Sequence, residues 1–186
     1  MRLLALSGSL RAGSVNSALL RAAARLAPVE IEVQWCPGLG DLPLFNPDLE
    51  NDPPAAVQQL RARVAQADAL LIASPEYAHG MTGTLKNALD WLGSFEPFAY
   101  KPVAVLNASP RARHADAALR EVLTTMAAVI VEPASITLPL VGAQLDEEGM
   151  VGTPAIATAI QAALLALAEA AGLHAAPDSA PAAHRL

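Results

Sequence analysis

The residues best suited to chemistry stand close together near the start of the chain, in Ser7-Gly8-Ser9-Leu10-Arg11-Ala12-Gly13-Ser14-Val15-Asn16. Ser9, Ser14 and Asn16 offer side-chain donors to phosphate oxygens, and Arg11 adds a charged fork. The glycines let the backbone turn back sharply. A helix that starts where such a loop ends aims unpaired N–H groups, with partial positive charge, into the turn. The plainer reading is a capped turn with Ser14 or Asn16 as N-cap. The convergence of so many donors in one short loop favours an anion site. Two later loops also carry unusual residues: Ser74-Pro75-Glu76-Tyr77-Ala78-His79-Gly80-Met81-Thr82-Gly83, and Asn107-Ala108-Ser109-Pro110-Arg111-Ala112-Arg113-His114.

Each loop needs elements to position it. Before the first comes Leu3-Leu4-Ala5-Leu6, a continuous apolar run that predicts a strand buried on both faces. After it, Ser17 to Leu26 is alanine-rich with apolar residues at helical spacing. Ile31 to Trp35 alternates apolar and polar residues, as an edge strand does. From Cys36 to Pro54 the Pro, Gly, Asn and Asp content marks a long surface connection. Within it, Leu42-Pro43-Leu44-Phe45 is apolar enough to fold back onto the body or to enter a subunit contact. Pro53 and Pro54 open a helix with Val57, Leu60, Val64 and Ala67 on one face. Ala69 to Ala73 is a third strand, Thr84 to Leu92 a helix, and Pro102 to Leu106 a fourth strand. The next helix carries Leu119, Val122, Leu123 and Met126. Val129-Ile130-Val131 and Ala134 to Leu138 read as a strand broken at Pro133. From Pro154 a final helix places Ile156, Ile160, Leu164, Leu167 and Ala171 on its buried face. The Ala- and Pro-rich stretch 175–186 reads as a loose tail, so a single domain is expected over residues 1–174.

Five strands alternating with five helices predict an α/β three-layer sandwich with a parallel sheet and right-handed crossovers. The flavodoxin-like order 2-1-3-4-5 fits this count. Ligands of such sheets bind at the carboxyl ends of the strands, where the chain reverses direction between strands 1 and 3. The three unusual loops follow strands 1, 3 and 4, so they are expected to meet at one rim. A flat aromatic ligand with a phosphate tail would suit it.

Gly8-Ser9-Leu10-Arg11-Ala12-Gly13-Ser14-Val15-Asn16, with Pro75-Glu76-Tyr77 and Gly83-Thr84-Leu85-Lys86-Asn87-Ala88-Leu89-Asp90-Trp91, resembles the NAD(P)H-dependent FMN reductase family. That family includes chromate, quinone and azo reductases. The resemblance implies bound FMN, NAD(P)H as co-substrate, and a homodimer or homotetramer. It implies an FMN phosphate held by Ser9, Arg11, Ser14 and Asn16. The ring would be flanked by Pro75, Glu76, Tyr77 and Ala78, with Ser109 touching it from the third loop. Hydride would pass from nicotinamide through the flavin to a quinone, free flavin, azo compound or metal oxyanion, and no side chain is expected to act as acid or base. Ala78 and Gly80 stand where many relatives have Asn and Ser, Thr82 where Pro is usual, and Arg111 and Arg113 where some are glycine-rich.

Composition narrows the alternatives. A chain of 186 residues with 53% hydrophobic residues can bury a substantial core. Its net charge of −6 argues against a nucleic-acid or anionic-membrane partner. Cys36 is the only cysteine, which excludes an internal disulfide and a thiolate metal cluster. The short apolar run after Arg2 gives way at once to Ser7-Gly8-Ser9, unlike a signal peptide, and Ala162 to Ala168 is too short to span a membrane. A cytoplasmic protein with no membrane partner is expected. Glu76 reads either as an acid/base or as a carboxylate satisfying backbone N–H groups, and the second is favoured. His79 is a lone loop histidine with no metal set around it. Lys86, Asn87, Asp90 and Trp91 read as capping, packing or subunit contacts. The rivals to a reductase are a flavin-binding electron carrier or redox sensor without NAD(P)H turnover, and a nucleotide-binding module with no redox role.

Overall fold

The computed structural model describes residues 1–175. It contains a five-stranded sheet in the order β2-β1-β3-β4-β5 with every neighbouring pair parallel. The strands are β1 (Arg2–Ser7), β2 (Glu32–Trp35), β3 (Ala69–Ala73), β4 (Pro102–Val105) and β5 (Val129–Ile130). The α-helices are α1 (Val15–Leu26), α2 (Ala55–Gln66), α3 (Gly83–Leu92), α4 (Arg113–Thr125), α5 (Glu147–Gly152) and α6 (Pro154–Ala175). The expected flavodoxin-like order is the observed one.

Strand side chains alternate between faces, so a strand buried on both must be apolar throughout. Leu3 and Ala5 of β1 join Leu19 of α1, Met150 of α5 and Ile160 and Leu164 of α6 on one side. Leu4 and Leu6 join Leu60 of α2, Leu85 and Leu89 of α3 and Leu119 and Leu123 of α4 on the other. β2 lies at the sheet edge and is largely exposed, matching its alternating sequence. β5 has only two residues; a 3-10 turn at Glu132–Ala134 interrupts it at Pro133, and pairing resumes as a single bridge between Asn107 and Thr137.

Two features differ from expectation. The chain forms an additional helix, α5, between β5 and the last helix. Asp146 caps it by accepting from Gly149 N at 2.9 Å, and Glu147 and Glu148 put negative charge in its first turn. The last helix also contains a longer apolar stretch than Ala162 to Ala168. Pro154–Gly172 has a mean hydropathy of 1.6 and is long enough by length and composition to cross a membrane. Of that stretch 28% is buried, and Ile160, Leu164, Leu167 and Ala171 join the core cluster that includes residues of α1 and the sheet. The tail expected from Ala175 onward lies, beyond Ala175 itself, outside the described residues.

The Leu42–Phe45 stretch does fold back. Asn87 Oδ1 accepts from Phe45 N at 2.8 Å, while Asn87 Nδ2 and Trp91 Nε1 both donate to Pro43 O, at 2.9 and 2.8 Å. The Phe45 ring meets Trp91 edge to face, 5.1 Å between centroids. Asn87 and Trp91 are thus structural ties between α3 and the long connection. Lys86 pairs with Asp90 one turn along the same helix.

Candidate functional site

The first loop is built around an unusually close approach. Gly8 packs so tightly against the third strand's exit that a Cβ there would collide with Ser74 Oγ and lie 2.9 Å from Thr82 Oγ1. Gly8 N donates to Ala73 O at 2.8 Å, and Thr82 Oγ1 donates to Gly8 O at 2.6 Å. Thr82 also caps α3, its Oγ1 accepting from Leu85 N at 3.3 Å. One buried hydroxyl therefore joins the first loop to the helix that follows the second.

Beyond Gly8 the loop is held by short polar contacts. Ser7 Oγ lies 2.8 Å from Ser17 Oγ, and Ser9 Oγ accepts from Arg11 N at 3.4 Å. Ser14 is the N-cap of α1; its Oγ accepts from Ser17 N at 3.3 Å. The Val15 and Asn16 amides at the start of α1 have no partner within the helix. Asn16 is 5% exposed, and its Oδ1 has no hydrogen-bond partner. Leaving a buried amide oxygen unpaired costs about 1–3 kcal/mol, which only a hydrogen-bond donor could offset.

The second loop turns on residues 77–80. Tyr77 N donates to Gly80 O at 3.1 Å and Gly80 N to Tyr77 O at 3.0 Å, with Ala78 at φ 48° and His79 at φ 60° between them. Two left-handed central residues make a primed hairpin turn, in which Asn or Gly would be the relaxed choice. Glu76 leaves this loop to cap α4: its Oε2 accepts from Ala115 N at 2.9 Å. That bond, with lesser help from His114, holds the carboxyl below its ordinary range against the opposing effect of desolvation. His79 is not isolated as expected, because it stacks on His114 with 4.4 Å between ring centroids and an 18° interplanar angle. Among the described residues no group of three or more His, Cys, Asp or Glu could hold a metal ion.

The third loop is organised by Asn107, which is 7% exposed. Its Oδ1 accepts from Ser109 N at 3.0 Å and its Nδ2 donates to Ala112 O at 3.4 Å. Ser109 Oγ in turn accepts from Arg111 N at 3.2 Å. Cys36 lies apart from all three loops; burial pushes its thiol up to about 11, so it stays protonated and inert.

These loops enclose a cavity of about 730 Å³ at the carboxyl ends of the strands, within the range of small-ligand sites. Ser9, Arg11, Ser14, Asn16, Pro75, Glu76, Tyr77 and Ser109 all line it. Ala78 is not among the lining residues; it sits exposed at the tip of the hairpin turn. Sequence reasoning missed one wall. Leu140 to Asp146 crosses from β5 toward α1, with Leu140 N and Val141 N donating to Ala108 O at 3.1 and 3.2 Å. It is fastened at its far end by Arg21, whose Nε lies 2.8 Å from Glu147 Oε2, and by Arg25, 2.6 Å from Glu148 Oε2. The Asp146-Glu147-Glu148 run is the sequence signal that would have marked a helix start there.

A parallel sheet in this order, with a donor-rich loop and helix N-terminus after β1, defines a flavodoxin-like α/β protein. The model of the NADPH-dependent FMN reductase family matches residues 1–141, and the chain belongs to that family. It is 38% identical over 113 residues to a quinone reductase of Escherichia coli (strain K12), covering 59% of this chain and 60% of the relative. It is 43% identical over 112 residues to an NAD(P)H-dependent FMN reductase of Pseudomonas aeruginosa, with 59% and 60% covered. The matched stretch thus spans about 60% of the length of these curated relatives. Among solved structures, FerB of Paracoccus denitrificans, a flavoenzyme NAD(P)H:(acceptor) oxidoreductase, superposes with a TM-score of 0.78 at 30% identity, over 93% of this chain and 98% of FerB.

Proposed function

We propose that this chain is an FMN-dependent NAD(P)H oxidoreductase that passes two electrons from NAD(P)H to a small acceptor, of which a quinone is the leading class. The observation that carries the reading is the cavity at the strand ends, onto which Ser9, Arg11, Ser14 and the N-terminus of α1 converge as hydrogen-bond donors. The residues present fit a phosphate-bearing flavin. Ser9 and Ser14 each use an oxygen lone pair internally, which leaves their O–H groups free to donate. Arg11 is exposed and has no ion pair among the described residues. These groups, with the Val15 and Asn16 amides, would hold the phosphate.

When bound, FMN supplies the hydride chemistry, taking two electrons from nicotinamide and yielding them to an oxidant. The chain's own residues bind and orient. Pro75, Glu76 and Tyr77 would flank the ring and Ser109 would touch it from the third loop, while residues of Leu140–Asp146 form a further part of the cavity wall. Glu76 has its carboxylate committed to α4, so it shapes the loop and leaves proton transfer to solvent or substrate. Ala78 would act only through the turn it completes.

The same reading takes the protein as a cytoplasmic homodimer or homotetramer without a nucleic-acid or membrane partner. The net charge of −6 supports the absence of a polyanionic partner. Leu44, 84% exposed beside the Leu42–Phe45 fold, and Tyr100, 72% exposed, support a subunit contact. A monomer by light scattering at micromolar concentration would remove the oligomer. The site assignment is tested by FMN titration of Asn16→Ala and Arg11→Ala, each expected to weaken binding about tenfold. Unchanged affinity in both would place the phosphate elsewhere.

A further inference from the structure

Three arginines line the cavity: Arg11, Arg21 and Arg111. Arg11 belongs to the donor-rich first loop, and Arg21 is neutralised by Glu147. Arg111 is neither. Its backbone is fixed, since Arg111 N donates to Ser109 Oγ and Ala112 N to Ser109 O at 3.0 Å, while its side chain is exposed with no ion pair among the described residues. Of the acidic groups nearby, Glu76 and Asp116 are already engaged, and Asp146, which lines the same cavity, caps α5. Glu76 accepts from Ala115 N, and Asp116 pairs with Arg120 at 2.9 Å. The N-terminus of α4, which follows Arg111, is already capped by the Glu76 carboxylate, so Arg111 is the free cation on this side of the cavity among the described residues. A cavity rim with uncommitted positive charge, on a chain of net charge −6, is a local site of anion attraction.

We propose that Arg111 binds a phosphate of the incoming nicotinamide dinucleotide, and so sets the affinity for the electron donor from the third-loop side of the cavity. This rests on the oxidoreductase reading above. It separates two anion sites in one cavity: the first loop for the resident cofactor's phosphate, the third for the donor that comes and goes. The phosphate is either the pyrophosphate common to both donors or the 2′-phosphate that only NADPH carries.

The test uses the FMN-loaded protein and its Arg111→Ala, Arg111→Lys and Arg113→Ala variants. Arg113 is exposed two residues further on, at the start of α4, but does not line the cavity, so it controls for the general field. Apparent dissociation constants for NADPH and NADH come from anaerobic flavin reduction at varied donor concentration, with calorimetric binding of NADP⁺ as a readout without turnover. Arg111→Ala is expected to weaken NADPH and NADP⁺ about tenfold, or about 1.4 kcal/mol, with Arg111→Lys recovering part and Arg113→Ala causing a much smaller change. Equal weakening of NADH assigns the pyrophosphate; weakening of NADPH alone assigns the 2′-phosphate. Unchanged constants in Arg111→Ala, or an equal effect of Arg113→Ala, would overturn the proposal. Loss of bound FMN from Arg111→Ala would do so too, by placing Arg111 on the cofactor. If the wild-type flavin is not reduced by either donor, the oxidoreductase reading fails and this one with it. A wild type that is reduced, beside an indistinguishable Arg111→Ala, removes only the role of Arg111.

Discussion

Replacing Thr82 with valine keeps the side-chain shape and removes only the hydroxyl. That hydroxyl donates to Gly8 O at 2.6 Å and accepts from Leu85 N at 3.3 Å, and Thr82 is 5% exposed. Valine would leave a buried carbonyl and a helix N-terminal amide without these partners. An unsatisfied buried group costs about 1–3 kcal/mol and a lost N-cap about 1 kcal/mol. Some relaxation toward water is expected, so a net destabilisation of about 2 kcal/mol follows. For a chain of this size that corresponds to a fall of roughly 4–8 °C in Tm. The same change frees Gly8, whose backbone leads directly into the phosphate loop, so FMN affinity should fall as well. Denaturant unfolding of the apo protein measures the first effect and FMN titration the second. Thr82→Ser, which keeps the hydroxyl, should restore most of both. Thr82→Val within about 0.5 kcal/mol of wild type, the range of an ordinary surface substitution, would refute the reasoning.

Other expectations follow from single features of the second loop. Ala78 holds φ 48°, a conformation that costs a non-glycine residue about 1 kcal/mol; Ala78→Gly or Ala78→Asn should therefore raise Tm slightly, and a lower Tm in both would contradict the strain. Glu76 has its carboxyl pKa lowered by the bond from Ala115 N. A depressed carboxyl pKa gives stability that is present above the unfolded value, about 4.3, and is lost as pH falls through the folded value. Glu76→Gln should thus be less stable than wild type near neutrality, with the difference closing in acid. A gap that persists at pH well below the carboxylate range would exclude the ionised cap.

The sheet was legible because its signal is local and repeated. Leu3–Leu6, Ala69–Ala73 and Pro102–Val105 are apolar at every position, as strands covered on both faces must be. The donor-rich loop was legible for the same reason, since its residues are contiguous. What escaped depends on the fold. The bond between Thr82 and Gly8 joins residues 74 positions apart, and nothing local to either marks it. His79 and His114 meet where the second loop contacts α4, a contact that the Glu76–Ala115 bond also spans. The Leu140–Asp146 wall has no regular periodicity; it is held at one end by backbone bonds to Ala108 O and at the other by α5, whose Glu147 and Glu148 pair with Arg21 and Arg25. Ala78, placed beside the ring by the resemblance, stands at the exposed tip of a left-handed turn, a conformation that an alanine in the sequence does not announce.

The central claim is tested most directly by the visible spectrum of the protein after incubation with FMN, removal of the excess, and anaerobic addition of NADPH or NADH. The account predicts retained flavin absorbance that bleaches with at least one donor and returns when a quinone is added. Retained flavin that stays oxidised with both would identify an electron carrier or sensor instead. A protein that retains no flavin, and shows no turnover with free FMN present, would contradict the account outright.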